Sequence, residues 1–104
     1  MPTHGEETKA YKRRKLMLLR EVFKYPVPYS DRFTLLLPTA AEILHFGEQS
    51  GALFIWALVE PDSPKVSREF LLRGTGHEIE GNPIYLGTDR VGSGLVWHLF
   101  EETP

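Results

Sequence analysis

Proline and glycine punctuate this chain so often that no long helix fits between them. Past residue 25, Pro26, Pro28, Pro38, Pro61, Pro64 and Pro83 are interspersed with Gly47, Gly51, Gly74, Gly76, Gly81, Gly87, Gly92 and Gly94. Proline removes a backbone donor and glycine weakens both helix and strand, so the uninterrupted runs are about eight residues long, the length of a strand. With 104 residues in all, there is material for one hydrophobic core.

Most of the runs carry the strand period. Leu18–Tyr25 reads as a first strand, ending where Pro26 and Pro28 cannot donate ladder bonds, although Leu16, Leu19, Val22 and Phe23 also fit a helical stripe. Arg32–Leu37 sets Phe33, Leu35 and Leu37 against Arg32 and Thr34, which predicts a half-buried strand. Glu42–Phe46 is ambiguous. Thr39 and Glu42 have capping-box spacing for one helical turn, yet Ile43–Phe46, then Gly-Glu-Gln-Ser-Gly, then a second apolar run predicts a hairpin. Ala52–Val59 is apolar at every position and rich in β-branched and aromatic residues. It is expected to be the central strand, covered on both faces, with Trp56 as a core anchor. Glu60–Lys65 is a turn with two prolines. Val66–Arg73 places Val66, Arg68, Phe70 and Leu72 on one face, and Ile84–Leu86 and Leu95–Glu101 are the last strands, with Leu95, Trp97 and Leu99 on a common face. Trp97, like Trp56, is read as core. The expected fold is mainly β: a small antiparallel barrel or sandwich of six to seven short strands over residues 17–104, with a flexible or helical basic N-terminal arm at 1–16. The hairpin of Ile43–Phe46 with Ala52–Val59 is its best-specified pairing.

Charge separates the arm from the body. Residues 1–24 carry seven of the twelve Lys/Arg and three of the fourteen acids, and residues 25–104 carry the remaining five and eleven. The cluster Lys12-Arg13-Arg14-Lys15 is a candidate contact for nucleic acid or another polyanion, and equally a solvated face. In the acidic body, Glu60, Asp62, Glu78 and Glu80 fall in turns, where they are available to a protein partner or serve only as solubilising charge.

Several chemistries lack their residues. Cysteine is absent, which removes disulfides, thiol nucleophiles and thiolate zinc sites. The histidines His4, His45, His77 and His98 show no zinc spacing, and Ser93 lies outside any Gly-x-Ser-x-Gly elbow. No catalytic residue, metal or cofactor is expected. No run approaches the roughly 20 apolar residues that span a bilayer, and the N-terminus lacks the apolar stretch of a signal peptide, so no membrane partner is expected. One segment has the makings of a site: Arg73-Gly74-Thr75-Gly76-His77. Two glycines after a strand can expose successive N–H groups as an anion nest, with Arg73 and His77 beside it. The same residues suit a sharp structural corner.

Four stretches, FKYPV (Phe23–Val27), AEILHFGEQSGALFIWALVEPDSP (Ala41–Pro64), FLLRGTGHEI (Phe70–Ile79) and LVWHLFE (Leu95–Glu101), occur here in order. With their Gln-x-Gly, Ile-Trp-Ala-Leu-Val and Arg-Gly-Thr-Gly-His elements, they resemble a family of small uncharacterised proteins from tailed-phage and prophage genomes. The resemblance implies an accessory protein acting in the bacterial cytoplasm. The expected function is inhibition or redirection of a host or antiviral-defence protein by direct contact, without catalysis. The alternatives are a small-molecule sponge, holding a nucleotide signal with the Arg73–His77 loop, and nucleic-acid binding through the arm. A homo-oligomer is compatible with all three.

Overall fold

The computed structural model describes residues 19–104, and over them the chain is entirely β. The strands are β1 (Glu21–Pro26), β2 (Arg32–Pro38), β3 (Glu42–Gln49), β4 (Ala52–Val59), β5 (Lys65–Gly74), β6 (Ile84–Arg90) and β7 (Val96–Glu101). They form two antiparallel sheets, one ordered β1-β4-β3 and the other β2-β5-β7-β6. The sheets do not close on each other, so the architecture is the sandwich rather than the barrel. The N-terminal arm, residues 1–16, with Lys12, Arg13, Arg14 and Lys15, lies outside the described residues.

The core forms where the inner faces of the sheets meet. β4 contributes Leu53, Ile55, Ala57 and Val59, each nearly inaccessible, and the four-stranded sheet opposes them with Phe33, Leu37, Phe70, Leu72 and Leu99. Phe33 and Phe70 stack across the β2–β5 ladder with ring centroids 5.4 Å apart. Burying each such side chain contributes on the order of 1.5–3 kcal/mol. The expectation that β4 is covered on both faces is corrected here. Its accessibility alternates strictly, and Phe54, Trp56 and Leu58 lie on the outer face, half-buried, with no strand of the described residues over them. Trp56 is therefore not a core anchor. Trp97, by contrast, packs against the core from its rim.

Two β-bulges break the strand alternation, one in β3 and one in β6. In β3, Ile43 pairs with Ala57 and His45 with Trp56, leaving Leu44 as the extra residue. The bulge shifts the alternation by one, so Ile43 and Phe46 both face the core although they stand three apart, a spacing that otherwise suggests a helix. Thr39 does not cap a helix. Its N–H and hydroxyl both donate to the Pro64 carbonyl, at 2.8 and 2.6 Å, and Ala40 takes φ 61° in the turn that leads to Ala41. The predicted hairpin is present but tighter than read: β3 runs through Gln49, and only Ser50 and Gly51, at φ 53° and 85°, connect it to β4. Positive φ at both central residues matches the right-handed twist of the flanking strands. In β6 the register shifts between Tyr85 and Gly87, and the strand continues to Arg90, well past the predicted Leu86. Gly87 faces inward, where a Cβ would lie 3.3 Å from that of Phe46; glycine lets β6 approach β3.

Polar ties then fasten one sheet to the other. Arg68, on the inner face of β5, holds Glu101 of β7 through two charge-assisted bonds of 2.6 and 2.7 Å. Its remaining amino group donates to the Ala41 carbonyl at 2.6 Å, immediately before β3. A forked guanidinium can satisfy both at once, whereas a lysine ammonium cannot match that geometry. Arg68→Ala leaves a partly buried carboxylate and a carbonyl without their donor. The expected loss is about 2 kcal/mol, read from the urea midpoint, with Arg68→Lys losing an intermediate amount.

Candidate interaction surface

The outer face of the three-stranded sheet gathers several large side chains outside the core. The β1–β4 register sets Val22 beside Leu58 and Lys24 beside Trp56; the β3–β4 register sets His45 on the other side of Trp56. The His45 and Trp56 rings lie 5.5 Å apart at 42°, and the Phe54 and Trp56 rings 6.0 Å apart at 58°. Lys24 Nζ sits 4.6 Å from the centroid of the Phe54 ring and donates to Gln49 Oε1 at 2.8 Å. This is a cation–π contact that holds the lysine stem flat along the sheet. Val22 and Leu44 border the row at 55% and 48% exposure. The result is an apolar and aromatic row presented to solvent, which sequence reasoning missed. An all-apolar strand reads alike whether one face is buried or two, and only the absence of a third layer distinguishes them.

His45 is oriented from below. Gly47 makes room for its ring, since a Cβ there would lie 2.5 Å from His45 Nε2. Asp89 of β6 reaches the same place and fastens β6 to β3: its Oδ2 accepts the Glu48 N–H at 2.8 Å and its Oδ1 accepts the Arg90 N–H at 2.8 Å. These two backbone donors, Glu48 first, hold the Asp89 carboxyl below its ordinary range, with a smaller contribution from His45.

The segment singled out from sequence is brought together as one turn. His77 N–H donates to the Gly74 carbonyl at 3.1 Å, and Gly76 takes φ 90°. The Gly74 N–H donates to His77 Nδ1 at 3.1 Å, and a Cβ at Gly74 would lie 3.0 Å from His77 Cε1. Glycine at 74 thus accommodates the imidazole, and its N–H is engaged there. Arg73 donates to backbone carbonyls, to Glu78 at 3.1 Å, to Leu72 at 3.1 Å and to Asp31. The neighbouring Thr75 joins a chain that sequence reasoning missed. Thr75 Oγ1 meets His98 Nε2 at 2.8 Å, Thr88 Oγ1 meets His98 Nδ1 at 2.8 Å, and Tyr85 Oη meets Thr88 Oγ1 at 2.6 Å. A hydroxyl on imidazole Nε2 is one half of a nucleophile–base pair, but the group orienting the ring here is a second hydroxyl, Thr88. The pairing of Thr88 with His98 on adjacent strands becomes visible only once the β6 bulge sets the register.

The acidic candidates divide between two connections. Glu60 and Asp62 lie in the turn before β5, and Glu78 and Glu80 in the segment after it. Among the described residues no group of three or more His, Asp or Glu is arranged to hold a metal ion, and no helix is long and apolar enough to cross a membrane.

Two measurements check this geometry. Trp56→Ala should cost about 1–2 kcal/mol, while Ile55→Ala, one position along on the buried face, should cost about 3 kcal/mol or more in the same urea titration. The Asp89 carboxyl, depressed in the folded state, contributes stability above its ordinary titration range and loses it as pH falls through the folded value. Wild type should therefore exceed Asp89→Asn in stability near neutrality, and the gap should narrow as pH falls below the ordinary carboxylate range.

The comparisons with known proteins point to a family. No match emerged among curated proteins or among solved structures. A model described as a domain of unknown function, DUF7352, matches residues 19–104, the whole described sandwich. That match covers most of the chain, and the protein belongs to the DUF7352 family.

Proposed function

We propose that this protein is a contact-binding accessory protein, encoded by a phage or prophage and acting in the bacterial cytoplasm. In this reading it occupies a host or antiviral-defence protein and inhibits or redirects it without catalysis of its own. The observation that carries the reading is the outer face of the three-stranded sheet, where Phe54, Trp56, Leu58 and Val22 form an apolar row edged by Lys24 and His45. Aromatic side chains with a polar rim are the usual anchors of protein interfaces, because they bury much area at little cost in rotamer freedom. The Arg73–His77 turn supports a small-ligand role less well, since Arg73 and the Gly74 N–H already have partners inside the chain.

The test is affinity capture from a host lysate with wild type, Trp56→Ala, and the double variant Arg73→Ala/His77→Ala, each first shown to be folded. The contact reading expects a host protein retained by wild type and by the double variant and lost, at least tenfold, with Trp56→Ala. Loss with the double variant and retention by Trp56→Ala would place the function in the Arg73–His77 turn instead.

A further inference from the structure

β1 is bonded to β4 on one side only, and five of its six residues are exposed. The phase of its backbone follows from one bond. Val27 N–H donates to the Leu53 carbonyl at 2.9 Å, in line with the β1–β4 register. In an antiparallel ladder, successive residues alternate between facing the partner strand and facing away. Glu21, Phe23 and Tyr25 therefore direct their N–H and C=O groups to β4, and Val22, Lys24 and Pro26 direct theirs outward. Pro26 agrees with this phase, because its missing N–H falls where no ladder bond is lost. The outward edge offers the complete backbone groups of Val22 and Lys24 and the carbonyl of Pro26. No partner for them occurs among the described residues.

We propose that this edge is a dimerisation surface that pairs antiparallel with β1 of a second copy, about a twofold axis through Phe23. A twofold pairing demands a self-complementary edge, and the charge pattern selects among its registers. Centring on Val22 sets Arg20 against the partner's Lys24. Centring on Tyr25 sets each Lys24 against a Pro26 that has no N–H to return, and centring on Lys24 sets the two lysines against each other. Like charges directly opposite destabilise a strand pair. Centring on Phe23 sets Val22 against the partner's Lys24, Glu21 against the partner's Tyr25 and Arg20 against the partner's Pro26, with no like charges opposed. A centre between two residues would set outward-facing groups against inward-facing ones and form no ladder. In the Phe23 register each Val22–Lys24 pair exchanges both backbone bonds. Val22, at 55% exposure, and Phe23, at 36%, are covered together. The two three-stranded sheets then run on as one, joining their Trp56 faces into a single surface. This inference goes beyond the contact reading and is tested without any host partner.

Three variants of the full chain decide it, read by sedimentation equilibrium and by far-ultraviolet circular dichroism. Wild type and Lys24→Ala should run at twice the chain mass, because alanine keeps the outward N–H. Lys24→Pro removes that N–H and leaves the β4 ladder whole, so it should run at the single-chain mass with an unchanged spectrum. Phe23→Glu sets two carboxylates across the axis and should weaken association at least tenfold. The register has its own readout, since the chain contains no cysteine. Opposed residues of a bonded pair stand about 5.5 Å apart at Cα, within disulfide reach. Mixing Val22→Cys with Lys24→Cys should cross-link under mild oxidation, and either alone should cross-link far less. A wild-type chain at single mass at about 100 µM overturns the proposal, a weaker association lying outside the range of stable interfaces. So does a dimer that survives both Lys24→Pro and Phe23→Glu, or cross-linking without the Val22–Lys24 preference.

Discussion

Two sheets of three and four strands have one inner face each to bury, and the row Leu53, Ile55, Ala57 and Val59 lies at the centre of that contact. β4 is the middle strand of its sheet, so both neighbours take their register from it. Everything else accommodates this row. β3 bulges at Leu44 so that Ile43 and Phe46 can both reach it, and β6 carries Gly87 where Phe46 needs the space. The apolar area that remains on the back of β4 is a consequence of the same geometry. No strand of the described residues makes a third layer, so Phe54, Trp56 and Leu58 face outward.

Polar groups determine how the layers are held once the core has set their separation. On the β3–β6 side, Asp89 accepts the Glu48 N–H across the gap between the sheets, covering two strand edges at once. Arg68 spans from Glu101 to the Ala41 carbonyl and so ties the middle of the four-stranded sheet to the entry of β3. Thr39 fastens the end of β2 to Pro64. β1, at the opposite edge of its sheet, has no comparable cover among the described residues. A row of unsatisfied backbone groups there invites a further strand, and Lys24 and Pro26 narrow which strands are admitted. The apolar row and the open edge thus lie on the same small sheet, apart from the sheet that carries Arg73 and His98.

The chain by itself determined the fold class. Prolines and glycines at short intervals exclude long helices, and alternation in Arg32–Leu37, Val66–Arg73 and Leu95–Glu101 specifies which side chains face the core. The β3–β4 pairing follows from the same local chemistry, although its turn closes on Ser50 and Gly51 alone rather than on residues 47–51. Tertiary structure alone decided three things. Whether β4 buries one face or two depends on how many layers the chain can build, which no property of an all-apolar segment reveals. The faces presented by β3 and β6 depend on bulges, which arise from fitting Phe46 and Gly87 between the sheets rather than from local preference. The partners of Arg73, Gly74, Thr75 and His98 depend on strand register, because a shift of one residue sends each side chain to the opposite face. Residues of suitable type for a site were therefore legible in the sequence, whereas their commitment to internal bonds, and the outward placement of Trp56, emerged only when the two sheets were set against each other.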